Sequence, residues 1–147
     1  ECQNFDYFNI RIPGTLSYLI NNKDRPWLNL VINKFIHNEN ISINNPESRF
    51  NNIIDTVEIH KLISHIIESK LKIKNATFLF SARNPILIKN LMHKIKYFTK
   101  SNSEIKFNKK EAANFIINIT QVKKLYNFQA NTTLKIVKRY IDHLKKN

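Results

Sequence analysis

Tyr7-Phe8-Asn9-Ile10-Arg11-Ile12-Pro13-Gly14 is the stretch on which the fold turns. Tyr, Phe and Ile suit a pleated, half-buried surface, so residues 7–12 read as a strand. Proline has no N–H to give a sheet ladder, so Pro13 ends that strand. Gly14, the one glycine of the chain, then turns the backbone where a Cβ would clash. A strand so close to Glu1 needs neighbours that the residues before it cannot supply, and the sequence does not open on Met. The expectation is a C-terminal piece of a larger protein, entered just before a strand of a sheet built upstream.

Outward from that strand, short strands alternate with amphipathic helices. Thr77-Phe78-Leu79-Phe80 is a continuous apolar run, the pattern of a strand covered on both faces, and should join residues 7–12 in one mostly parallel sheet. Asp24 as N-cap and Pro26 in the first turn open a helix over residues 25–37, with Trp27, Leu28, Val31, Ile32 and Phe35 at helical spacing. Ile41–Ile43 alternates as a strand before the turn Asn44-Asn45-Pro46, and Phe50–Ile54 reads as another. Thr56 offers an N-cap for a helix over 59–69. Asn84-Pro85 opens a helix whose inner face is Leu87, Leu91, Ile95 and Phe98. Strands follow at Ile105–Phe107 and Phe115–Ile117, then a helical turn at Gln121–Leu125. A last helix, over 132–145, starts at Asn131 or Thr132. The class is mixed α/β.

Composition excludes several functions. The 147 residues are 42% hydrophobic and 24% charged, enough for one domain with a core and unlike a disordered chain. No apolar stretch approaches the roughly 20 residues that span a bilayer, and no basic-then-apolar leader is seen. Cys2 is the single cysteine, so an intrachain disulfide and a cysteine-built metal site are both excluded; a cytoplasmic setting is expected. One glycine cannot build a phosphate-cradling loop. His60 and His65 are five apart, unlike the i, i+4 pair of a zinc helix, and no metal is expected. No two acids are spaced for proton transfer, and Ser and His form no triad pattern. No catalytic residue is assigned within the segment.

In this order the stretches resemble the C-terminal part of the NAD-dependent epimerase/dehydratase family, the extended short-chain dehydrogenase/reductases, over nearly the whole chain. Arg11-Ile12-Pro13-Gly14 is similar to the Arg-x-Pro-Gly turn that ends a strand in that family, and Arg25-Pro26-Trp27-Leu28 to its substrate-side helix. The stretch Phe50-Asn51-Asn52-Ile53-Ile54-Asp55-Thr56-Val57-Glu58-Ile59 resembles Phe-Asn-Asn-x-Val-His-Val-Asp-Asp-Leu, with Asp55-Thr56-Val57-Glu58 in place of His-Val-Asp-Asp. Phe80-Ser81-Ala82-Arg83-Asn84-Pro85-Ile86-Leu87-Ile88 fits a strand, a small-residue turn and Pro-Ile-x-Ile. Lys123–Ala130 resembles the closing Leu-Gly-Phe-x-Pro stretch, with Asn127 where the glycine usually stands.

The resemblance implies the C-terminal portion of a doubly wound, Rossmann-like dehydrogenase: final core strands and the substrate-binding subdomain, with the nucleotide-binding half upstream. That half would carry the glycine fingerprint and the Tyr-x-x-x-Lys pair, so this fragment alone is not expected to be active. Pro13, Gly14 and Thr15 would approach the nicotinamide of NAD or NADP. Trp27, Leu28, Asn51 and Asn52 would face a nucleotide-sugar or related substrate, and Lys109 or Lys110 would meet a pyrophosphate. Ordinary structure stays open for each: Trp27 as a core anchor, Asn51-Asn52 as compositional bias, Lys109-Lys110 as a solvated pair. A homodimer stands as an option, and no membrane or specific nucleic-acid partner is expected.

The net charge of +13, from 24 Lys and Arg against 11 acids, supports two readings. One is a basic nucleic-acid-binding module, with Tyr97, Phe98, Tyr126 and Phe128 near lysines as stacking platforms. A catalytically silent remnant is a further alternative. The preferred reading of the charge is codon drift, because Asn, Ile and Lys crowd the chain together and all have A/T-rich codons. Binding to nucleic acid should then fall in the non-specific range of roughly 10⁻⁴–10⁻⁶ M at physiological salt, with negligible sequence discrimination. A salt titration with two unrelated duplexes measures both; tight, selective binding would reverse the preference.

Overall fold

The computed structural model describes residues 7–18, 26–69, 75–108 and 116–146. Strand β1 (Phe8–Arg11) lies parallel to β6 (Ala76–Leu79), with Phe8 opposite Ala76 and Arg11 opposite Leu79. The two decisive runs therefore share one sheet, as expected. Their cover differs from the expectation. Ala76 and Phe78 are buried while Thr77 and Leu79 are exposed, and only Ile10 of β1 is half-buried. Helix α4 (Thr120–Tyr126) packs on one side, where the Tyr126 ring meets Phe78 at 5.5 Å and Phe8 at 6.3 Å. Leu79 on the outer side made a half-buried alternation look continuous.

Pro13 ends β1, but Gly14 does not turn the chain. It opens β2 (Gly14–Leu16), which runs parallel to β5 (Ile53–Asp55), and its φ lies outside the left-handed region. A Cβ there would sit 3.2 Å from Pro26 Cβ, so glycine admits the chain that leads into helix α1 (Trp27–Ile36). Strand β3 (Ile41–Asn44) is parallel to β8 (Ile105–Asn108), and β4 (Arg49–Phe50) is antiparallel to β7 (Ile86–Leu87). Among the described residues the sheet is thus four strand pairs, stitched by single bonds such as Ala82 N–H to Ile53 O at 3.0 Å.

The single strand expected over 50–54 is two, β4 and β5, interrupted at Asn51-Asn52. Leu87 belongs to β7, and helix α3 (Ile88–Thr99) starts after it. Helix α2 (Thr56–Glu68) is capped by Asp55, whose carboxylate accepts from Glu58 N–H at 3.0 Å, and Thr56 is its first residue instead of its cap. Helix α5 (Thr133–Leu144) is capped by Thr132, as the sequence implied. Ile116 and Ile117 form no strand; Phe115 and the expected cap Asp24 lie outside the described residues. Leu28, Ile32, Phe35, Ile54, Leu62, Phe80, Leu91, Ile136 and Val137 meet in one core between the strand pairs and the helices.

A chain with so little glycine reaches left-handed backbone by other means. Asn38, Asn45, Asn75, Asn84, Lys100 and Asn127 all have φ between 49° and 58°. Asparagine is the side chain that tolerates this region best. Asn127 closes α4 there, and its N–H donates to Lys123 O at 2.9 Å. Asn127→Gly should leave stability unchanged or raise it slightly, whereas Asn127→Val should cost about 1–2 kcal/mol. Urea denaturation of the two variants tests the sign.

Candidate functional site

A groove of about 800 Å³ opens between the start of β2, the exposed side of α1, and strands β3 and β4. It collects Gly14, Trp27 and Asn52 from three separate stretches of sequence. Trp27 is 42% exposed and stands edge-on to Phe50, 5.3 Å away at 78°. Leu30, one turn on, is exposed as well and extends the apolar wall. Asn45 and Asn52 line it as well, and the amide oxygen of each is shut off from solvent with no hydrogen-bond partner among the described residues. A buried oxygen without a donor is costly, and a shift that opened either amide to a donor would recover that cost. Lys34 and Arg49 stand on the rim, and the Arg49 guanidinium also reaches Pro85 O at 3.5 Å.

The other residues singled out in the sequence sit elsewhere. Leu28 points into the core and is fully buried. Asn51 is 1% exposed; its amide donates to Ala82 O and Ile117 O at 3.1 and 2.9 Å and accepts from Ile117 N–H at 2.9 Å. That side chain is spent on the backbone and holds the break between β4 and β5 that turns Asn52 into the groove. Pro13 and Thr15 are half-buried beside Gly14, with the Thr15 hydroxyl donating to Pro13 O at 3.3 Å. Lys109 and Lys110 lie outside the described residues. Asn45, Lys34 and Arg49 were missed as lining residues. Asn45 was visible only as a turn signal, and nothing local marks a lysine or arginine as facing a groove.

Behind the groove floor lies a second constellation that sequence reasoning did not assemble. Asp55 and Glu58, both almost fully buried, share the guanidinium of Arg139 from α5. Arg139 Nε donates to Asp55 Oδ2 at 2.9 Å, and its Nη2 to Asp55 Oδ1 at 2.9 Å and Glu58 Oε1 at 2.8 Å. The Tyr18 hydroxyl donates to Asp55 Oδ2 at 2.8 Å, and Asn131 gives Glu58 its backbone N–H and its amide at 2.9 and 2.7 Å. Burial alone would raise the Glu58 carboxyl, but the bonds from Asn131 and Arg139 and the charge of Lys61 hold it below its ordinary range. Burial, and the carboxylate of Asp55 beside it, push the Tyr18 phenol up, so it stays a donor. Burial disfavours the Arg139 charge, but the two carboxylates outweigh that and raise it. Every polar group here is satisfied by another; the cluster is an anchor and has no free acid or base.

No protein-family model and no curated protein matches this chain. Solved structures do. UDP-glucose 4-epimerase of Thermotoga maritima, determined with UDP-glucose, superposes with a TM-score of 0.75 at 12% identity, over 96% of this chain and 46% of that one. UDP-N-acetylglucosamine 4-epimerase of Methanobrevibacter ruminantium, in complex with UDP-N-acetylmuramic acid, gives 0.72 at 15% identity, over 96% and 46%. The GDP-mannoheptose C4 reductase of Campylobacter jejuni, with NADP bound, gives 0.72 at 12%, over 97% and 50%. The fold is therefore that of the C-terminal part of an extended short-chain dehydrogenase/reductase, and the chain spans about half the length of the structures it matches. The described residues do not by themselves fit a nicotinamide dinucleotide: there is no glycine loop, and the space that Gly14 leaves is filled by Pro26.

The sign of the anchor's pH dependence follows from Glu58. Its carboxyl titrates lower when folded than its ordinary 4.5, so its contribution is full above that value and fades as pH falls through the lowered one. Arg139→Met leaves Asp55 without a counter-charge and Glu58 with only the half-exposed Lys61, and should cost about 3–5 kcal/mol near neutral pH. Without the Arg139 bond the Glu58 carboxyl titrates higher than in the native protein, so the deficit should shrink toward pH 5. Urea midpoints at pH 7 and pH 5 for both proteins test the size and the sign.

Proposed function

We propose that this chain forms the substrate side of an NAD(P)-dependent epimerase, dehydratase or reductase acting on a nucleotide sugar. The cofactor and the acid/base pair are held mainly by a nucleotide-binding half outside these 147 residues. The observation that carries this reading is the groove in which Gly14, Trp27 and Asn52 converge. Trp27 and Leu30 offer apolar area to a base or sugar ring. The Asn45 and Asn52 amides would have to turn to reach the hydroxyl or imide N–H groups that nucleotide sugars carry in number. Lys34 and Arg49 at the rim suit a diphosphate, which Lys109 or Lys110 would also meet. Leu28 and Asn51 serve the site from behind: one seats α1 in the core, the other fixes the backbone before Asn52. Pro13, Gly14 and Thr15 would border the nicotinamide end of the site through backbone groups once the nucleotide-binding half is present, the side of Gly14 that faces Pro26 being closed to it.

The test is a titration of the chain with UDP-glucose, dTDP-glucose and GDP-mannose, read by emission of Trp27, its single tryptophan. At least one should give a saturable change. Asn52→Ala should weaken that binding by about 2- to 10-fold, the worth of one hydrogen bond. The chain alone, given NADH or NADPH, should show no turnover. No response from any nucleotide sugar would favour the silent remnant, and turnover by the chain alone would overturn the division of labour.

A further inference from the structure

Away from the residues that line the groove, the C-terminal half of α3 and the later turns of α5 border a second, open cavity of about 650 Å³. Lys96, Tyr97, Phe98, Lys100, Lys138 and Asp142 stand on its walls. Its charges are unequally matched. Lys138 is held by Asp142 at 2.5 Å, and Lys145 neutralises the negative end of α3 by donating to Phe98 O at 2.6 Å. Lys96, in the last turn of α3, and Lys100, its left-handed C-cap, both line the cavity, and their ammonium groups have no partner among the described residues. Between them Tyr97 is 76% exposed, edge-on to Phe98 at 6.0 Å and 62°. Of the aromatics that lie near lysines in the sequence, Tyr126 is buried and Phe98 and Phe128 pack against the core. Only Tyr97 presents a free face.

We propose that this cavity binds a nucleoside phosphate, with the base stacked on Tyr97 and the phosphate held by Lys96 and Lys100. Two unpaired cations alone would serve any anion. The solvent-facing ring between them favours an anion that carries a flat aromatic group, which a carboxylate-rich peptide lacks. Lysine is a point-charge phosphate binder, and such a contact reads no sequence, in keeping with non-selective binding. A free nucleotide and a nucleotide of a single strand present the same chemistry, and the experiment separates them.

The chain is titrated at physiological salt with mant-ADP and with fluorescein-labelled ten-residue oligothymidylate, read by anisotropy. Lys96→Glu/Lys100→Glu should weaken binding at least about 10-fold, and Tyr97→Ala at least about 5-fold, while Tyr97→Phe keeps the ring and the affinity. Lys106→Glu/Lys123→Glu makes the same charge change on exposed sites of β8 and α4 and should shift affinity less than about 2-fold. Melting curves confirm that the variants fold; these side chains are outside the core. Binding of mant-ADP alone assigns the site to free nucleotides, of the oligomer alone to single strands, and either carries the proposal. It is overturned if neither probe binds below about 1 mM, if the control charge reversal weakens binding as much, or if the binding survives Lys96→Glu/Lys100→Glu and quenches Trp27, which would place it in the groove.

Discussion

The shared guanidinium of Arg139 is the constraint on which the described structure hangs. Asp55 has four duties at once: it ends β5, caps α2, accepts from the Tyr18 hydroxyl, and receives the fork of Arg139. Glu58 adds the Asn131 segment, where the chain enters α5. One cation therefore fixes the last helix, the start of α2 and the end of the β2–β5 pair in a single geometry. In a fully buried site two carboxylates so close would each resist ionisation, and the guanidinium makes both tolerable. A hydrophobic replacement of the whole cluster could match its stability but could not set all these directions simultaneously.

The groove inherits its shape from that anchor. Its floor is the β2–β5 pair, whose far end Asp55 holds, and whose near end is Gly14 opposite Ile53. Asn51 does the corresponding work at the break before β5. It ties the chain to Ala82 and Ile117, while the Ser81 hydroxyl donates to the Asn51 carbonyl. With the residue before it and the strand after it both pinned, Asn52 has little choice of direction. Its unpartnered oxygen is the kind of local cost that persists only where the surrounding structure over-determines the residue.

The strands and helices were legible in the sequence where a periodic apolar face was long enough to be unambiguous. Helices over 25–37, 59–69 and 132–145 correspond to α1, α2 and α5, and the parallel pairing of the first strand with the Thr77–Phe80 run was expected. Failures occurred where one residue carries two meanings. Leu79 is apolar yet faces outward, so the run looked covered on both sides. Asp55 and Thr56 are both good caps, and only the pairing of Asp55 with Arg139, 84 residues away, decides between them. Gly14 read as a turn at which a Cβ would clash; it opens a strand instead, and the clash it avoids is with Pro26. The groove was half legible: Trp27 and Asn52 were singled out and line it, but Leu28 and Asn51, their immediate neighbours, face the interior. Adjacent residues on a helix or strand point apart, so a motif two residues wide can span inside and outside, as Trp27-Leu28 and Asn51-Asn52 do.

Composition and site make separate claims on the same residues. A chain drifting toward Asn and Lys keeps this fold because the exchange falls where the backbone or solvent tolerates it. Asparagine takes left-handed positions, as at Asn127, and lysine takes exposed helix faces. Such drift predicts lysines scattered over the surface with no relation to cavities or to one another. Lys138 and Lys145 already depart from that picture, since one is matched to an acid and the other to a helix terminus. Lys96 and Lys100 depart from it differently: they flank an exposed ring at the mouth of a cavity. Net charge therefore says little about function in this chain, and the placement of individual unpaired cations says more.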